Sequence, residues 1–179
     1  MRLAAVGFAA GMLGWLAGSG QALAGTRDTA LILAFRTNCA SERPDFAHID
    51  QRATAAGLQL LRTIDKPPVD GMFLRQKLWL VAEQSGQVAL MAIEGNGPDG
   101  YLSGCGIVSP DLNAEGFKPA LAAAFRLGTP TSEKNTPVQG LAMRLTQWAG
   151  VFGPGTALQL MQGAQGAGLD YVVKGPRRQ

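Results

Sequence analysis

Cys39 and Cys105 are the only cysteines in this chain of 179 residues. Joined, they would close a long loop and tie two distant segments together, which the chain-entropy model values at ~4 kcal/mol. Two cysteines allow a single intramolecular pairing. The competing uses are a reactive thiol and a metal-ligand pair. His48 is the one histidine, so a four-ligand zinc site would have to recruit carboxylates. The choice among these uses depends on the redox compartment.

The N-terminus addresses that compartment. Met1-Arg2 gives a short positive start, and Leu3 to Gly18 carries no charge. Ala22-Leu23-Ala24 then forms a small-x-small box before Gly25. These are the three regions of a secretory signal peptide, and the apolar run is short for a membrane span. The sequence therefore predicts a signal peptide over 1–24, a single domain over 25–179, and a periplasmic or secreted location. In an exported chain, the cysteine pair is expected to be a Cys39–Cys105 disulfide.

Charge argues against a nucleic-acid partner. Without Arg2, fifteen basic residues face thirteen acidic ones, and they are scattered rather than gathered into a stripe. A domain of this size can bury enough surface to fold without a metal.

The pattern of apolar residues predicts α+β architecture in one domain. The expected sheet is antiparallel, of about six strands, packed with two to three helices. A first helix is expected over "RDTALILAFRTNCA". A second follows in "SERPDFAHIDQRATAAGL", capped by Ser41, with Pro44 in its first turn. Phe46, Ile49, Ala53 and Ala56 share its apolar face, and Gly57 stops it. "KPPVDG", Lys66 to Gly71, is expected to be a loop. Strands are predicted over Leu78–Glu83 and Gln87–Glu94 around "QSG", then over Tyr101–Ser109. The first two read as covered in part on both faces. A third helix starts after Asp111, holds Pro119 near its first turn and stops at Gly128. "TPTSEKNTP" is a polar loop. Gly140–Trp148 alternates as a strand with one wet face. Thr156–Met161 and Leu169–Lys174 complete the set. The helix-plus-strands block after Pro110 echoes the one before it in order of elements.

"GNGPDG", Gly95 to Gly100, spells a dinucleotide fingerprint. That motif must leave a strand and open a helix, so that the helix N-terminus holds the pyrophosphate. Here "YLSGCGIV" follows and reads as a strand, while Pro98-Asp99 suits a turn. A hairpin is expected, in which substituting Gly97 should alter stability if its φ is positive. "GAQGAG" lacks the lysine and hydroxyl residue of a phosphate loop. No cofactor and no metal are expected.

His48 is the weak catalytic candidate, with Asp45 and Arg52 at helical spacing. Ser41, Ser103 and Thr37 are the hydroxyls that folding could bring to it. Ser103 in "GYLSG" misses the nucleophile-elbow spacing by one residue. Asp65, Asp70, Glu83, Glu94, Asp99 and Asp111 form no calcium-loop spacing. Trp79, Trp148, Phe117 and Phe125 sit in periodic apolar segments and are expected in the core. Met72, Met91, Met143 and Met161 are dispersed, unlike the ligands of a copper site.

The segments "FRTNCASERPDFAHIDQRATAAGL" and "LSGCGIVSPD", behind the leader, resemble small exported two-cysteine proteins of Gram-negative bacteria. That resemblance implies export and cysteine pairing and carries no activity. The chain thus reads as a non-enzymatic periplasmic or envelope-associated binding protein. Its partner would be a protein or a small apolar ligand, with no transmembrane segment after leader cleavage. The alternative is a small periplasmic hydrolase using His48, a serine and a carboxylate.

Overall fold

The computed structural model describes residues 16–83, 86–98, 100–138, 141–164 and 166–177. Three helices and eight strands alternate as α1 (Leu16–Asn38), α2 (Phe46–Ala55), β1 (Gln59–Val69), β2 (Met72–Glu83), β3 (Gly86–Gly97), β4 (Gly100–Ser109), α3 (Ala114–Phe125), β5 (Ser132–Val138), β6 (Leu141–Ala149), β7 (Thr156–Gly163) and β8 (Gly166–Gly175). All strands join one antiparallel sheet in the order β1-β2-β3-β4-β8-β7-β6-β5. The first half is two helices and a four-stranded meander, the second is one helix and a four-stranded meander, and the meanders meet where β4 pairs with β8. The block order expected from the sequence is present, with one more strand in each half.

The two extra strands are β1 and β5, the edges of the sheet. The expected loop at Lys66–Gly71 is instead the end of β1, followed by a turn at Asp70 and Gly71, both with positive φ. The expected loop "TPTSEKNTP" contains β5. Both edges carry proline, Pro67-Pro68 and Pro137, and charged side chains. Those are the residues that blunt a sheet edge against further pairing, and they are also loop formers. Two register irregularities in β1 act in the same direction.

Helix ends also move from their expected places. Asp45, not Ser41, caps α2 by accepting from the His48 backbone N–H at 2.8 Å, and Pro44 lies outside the helix. Ala56 is the exposed C-cap rather than a core residue, whereas Gly57 does take the left-handed stop, φ 66°. Asn113 caps α3 through the N–H groups of Glu115 and Gly116. Pro119 falls inside that helix, and Arg126 at φ 52°, not Gly128, ends it. The helix α1 starts earlier than the expected first helix and runs unbroken through Ala22–Gly25. Residues 1–15 of the expected leader, and the turn residues Gln84 and Ser85, lie outside the described residues. Among the described residues, no helix is long and apolar enough to cross a membrane.

One core lies between the helices and one face of the sheet. Its strand residues have a single parity: Trp79 in β2, Leu90 and Ala92 in β3, Cys105 and Ile107 in β4, Leu158 and Leu160 in β7, Leu169 and Tyr171 in β8. Leu31, Phe35, Ile49, Phe117 and Leu121 meet them from the helices. The expected core aromatics Trp79, Trp148 and Phe117 are buried, and Phe125 packs against the cluster from its margin. In β6 the core parity is that of Thr146 and Trp148, so the leucine-methionine register of that strand points to the opposite face. Helices therefore cover one face of the sheet. On the other, Met91, Ala157, Asp170 and Val172 are buried by their own neighbours, which close over Gly104 and Gly106.

The disulfide is present. Cys39, just past α1, is joined to Cys105 in the centre of β4, with Cα atoms 5.2 Å apart. That spacing lies in the ordinary range for the bond. Both cysteines are buried, so the bridge is part of the core.

Candidate functional site

His48 lies on the first turn of α2, and its side chain is 48% exposed. Its Nδ1 is 3.5 Å from Glu42 Oε1, and Arg52 approaches the same carboxylate at 3.3 Å. Asp45 bonds the His48 backbone, not the imidazole. The ridge expected from Asp45, His48 and Arg52 is therefore organised by Glu42, in the loop before the helix. The hollow beside His48 has a volume of about 10 Å³, room for roughly one water. It is floored by the disulfide. Neither Ser41, Ser103 nor Thr37 joins His48 in a hydrogen bond among the described residues. The hydroxyl of Ser103 instead donates to the Pro44 carbonyl at 3.0 Å.

The polar residues of the fold gather elsewhere, at the sheet end beyond α2. Arg75 forms an ion pair with the buried Glu94. The other Glu94 oxygen accepts from Tyr101 Oη at 2.7 Å. The Arg75 guanidinium lies over the rings of Phe46, at 5.0 Å, and Phe73, at 5.7 Å. Aromatic faces hold the cation while the carboxylate takes its charge. Asn96 donates to the Gly71 carbonyl at 2.6 Å and fastens the β1–β2 turn to β3. Asp65 sits opposite Arg75 in register. This network links four strands and leaves its hydroxyl and amide groups committed to the fold.

Two clefts flank the β3–β4 hairpin. On the helix side a cleft of about 460 Å³ lies between the loop before α2 and the ends of β4 and β8. Tyr101, Ser103 and Val173 form its floor, and Arg43, Asp45 and Arg177 stand at its rim. On the other side, Phe73, Leu74, Leu102 and Pro98 line an apolar cleft of about 310 Å³. A third cleft, of about 350 Å³, lies under the start of α3. Its Arg27 is already paired with Asp111 at 3.3 Å.

The rim of the first cleft is the least neutralised. Arg43 makes no ion pair with any described residue. Arg177 donates to the Asp70 backbone carbonyl rather than to a carboxylate. Asp45 is the one acid at the rim, and one of its oxygens caps α2. Arg43 also acts inward. Burial raises the Tyr171 phenol above its ordinary range, and the nearby Arg43 charge pulls it back down.

The glycine motif is a hairpin, as its context implied: Gly97 pairs with Gly100 across the turn, and β4 follows directly. The glycine of this turn with positive φ is Gly100, at 108°, and Gly97 does not share that conformation. Asp99 and the Glu83 side chain lie outside the described residues. Among the described residues no cluster of three metal-ligating side chains exists. No protein-family model, curated protein or solved structure matches the chain.

Sequence reading missed three residues that the geometry brings forward. Asp170 is buried inside β8, and its signal was a lone charge in the apolar run "LDYVV". Arg43 and Arg177 are 134 positions apart and carry no local signal.

Proposed function

We propose that this chain is an exported, non-enzymatic binding protein that takes a small ligand in the cleft between Arg43–Asp45 and the ends of β4 and β8. The observation that carries the reading is a cleft of about 460 Å³ whose hydroxyls are already used by the fold. That volume suits a small molecule. Pro44, Val173 and Pro176 offer it apolar contact. A hydrolytic site instead needs a nucleophile within reach of a base. Ser103 is turned to a backbone carbonyl, and His48 borders a hollow without room for a substrate. Export is supported by the leader pattern and by the buried disulfide, which an oxidising compartment favours. The likeness to exported two-cysteine proteins points the same way.

Gly175 supplies the test. It lines the cleft, and a Cβ added there meets no atom within 4 Å. Gly175→Phe should fill the cleft without disturbing the fold. A thermal-shift screen of small amphipathic molecules is expected to give a saturable rise in Tm that Gly175→Phe removes and His48→Ala retains. Ester or amide hydrolysis that disappears in His48→Ala would replace this reading with the hydrolase. Mass spectrometry of periplasmic protein should find Gly25 at the N-terminus.

A further inference from the structure

Neither guanidinium group at the rim of this cleft forms an ion pair with a described carboxylate, and the one acid that shares the rim, Asp45, has an oxygen engaged in capping α2. Arg43 comes from the loop before α2, and Arg177 comes from the tail after β8. Two segments 134 positions apart in the chain thus meet across a single opening. Arg177 is held in place by its bond to the Asp70 carbonyl, which leaves its remaining N–H groups available. A planar fork of donors suits a carboxylate or a phosphate, whose oxygens accept in pairs. The walls below the rim are apolar, through Pro44, Val173 and Pro176. No charged side chain lines the floor, where the hydroxyls of Tyr101 and Ser103 already donate to Glu94 and Pro44.

We infer that the ligand of this cleft is a small anionic amphiphile, its carboxylate or phosphate head bound between Arg43 and Arg177 and its apolar body against Pro44, Val173 and Pro176. This rests on the cleft being the binding site. An amine head would meet two like charges against the single Asp45 carboxylate, and a neutral head would leave the two cations in excess over that one acid.

The test compares hexanoate, hexyl phosphate, hexanol and hexylamine, with inorganic phosphate as a headgroup alone. Binding is followed by the amide NMR shifts of Tyr101, Ser103 and Val173 in the full mature chain. Hexanoate, hexyl phosphate or both should bind at least about tenfold more tightly than hexanol, a difference of ~1.4 kcal/mol. Which of the two binds identifies the head as carboxylate or phosphate. Arg43→Gln should remove that preference without lowering Tm. Arg177→Gln should do the same, whereas Arg62→Gln, at an exposed edge position, should change nothing. Hexanol or hexylamine binding as tightly as the anions, and being blocked by Gly175→Phe, would overturn the anionic head and keep the cleft. Inorganic phosphate binding as well as hexyl phosphate and unaffected by Gly175→Phe would reduce the effect to surface charge and overturn the inference. Failure of all five probes to shift these amides would overturn both the inference and the cleft reading.

Discussion

Gly106 and Asp170 face each other across the β4–β8 pair, and Asp170 Oδ1 occupies the volume that a side chain on residue 106 would need. A Cβ there would also lie 2.8 Å from Asp170 Cγ and 2.8 Å from the Leu169 carbonyl oxygen. Asp170 is 3% exposed, and its Oδ1 has no hydrogen-bond partner among the described residues. The missing side chain on β4 makes room for a buried acid on β8, at the junction of the two halves. Gly106→Ala should therefore cost about 3 kcal/mol or more, because the Leu169 backbone cannot step aside. Adding Asp170→Gly should restore only part of the loss, since the carbonyl remains. Urea unfolding of the single and double variants checks this.

The same acid gives the protein a pH dependence. Burial raises the Asp170 pKa from 3.8 to about 7. The groups facing it are Gly106, Gln159 across β7 and, beyond Gly106, Met91 on β3, none of which titrates. A folded-state pKa above the unfolded value favours the fold when the group is protonated. That stability is full below pH 3.8 and is lost as pH rises toward about 7. The span corresponds to a loss on the order of 4 kcal/mol. Asp170→Asn keeps the shape without the ionisation and should flatten the profile between pH 4 and pH 7. Chemical denaturation at successive pH values measures both. An Asn variant with the wild-type slope would exclude Asp170 as the source.

The Cys39–Cys105 bridge joins the end of α1 to the middle of β4 and closes a loop across 66 residues. Replacing either cysteine with serine should cost about 2–5 kcal/mol and lower the yield of folded protein. Both sulfurs are buried, so the native protein should resist reductant until it is partly unfolded. Thiol labelling with and without urea tests that order of events.

His48→Ala should leave folding within about 0.5 kcal/mol of wild type, as for an exposed residue with one partly exposed partner. Ligand binding in the Arg43 cleft should also be unchanged. General acid–base catalysis would behave otherwise, losing ~10²–10⁴-fold in rate.

The hairpin glycines should differ sharply. Gly100 has φ 108°, and a Cβ there would strike the Gly175 carbonyl. A Cβ on Gly97 would meet nothing within 4 Å. Gly100→Ala should lower Tm by about 2–4 °C for each ~1 kcal/mol of strain, while Gly97→Ala stays near wild type. Neither variant is expected to alter the affinity for a nucleotide, since β4 follows the turn where a phosphate site would need a helix.

Local chemistry was enough to predict much of this protein. Gly57, the Gly95–Gly100 turn and the short apolar runs of β3, β4, β7 and β8, bounded by turn residues, made the helix stop, a hairpin and the central strands legible. With two cysteines in the chain, Cys39 had a single possible intramolecular partner. Local signals failed wherever the deciding contact was distant. Pro67-Pro68 and Pro137 mark both a loop and an edge strand, and only a neighbouring strand on one side distinguishes them. In β6 both parities carry apolar residues, so the register with β7, which sets Thr146 and Trp148 beside the core residues Leu160 and Leu158, decided that they face inward. The pairing of β4 with β8 set Gly106 against Asp170 and brought Arg177 to Arg43. Propensity and periodicity extend over a few residues of chain, whereas burial is decided by whichever segments the fold brings together.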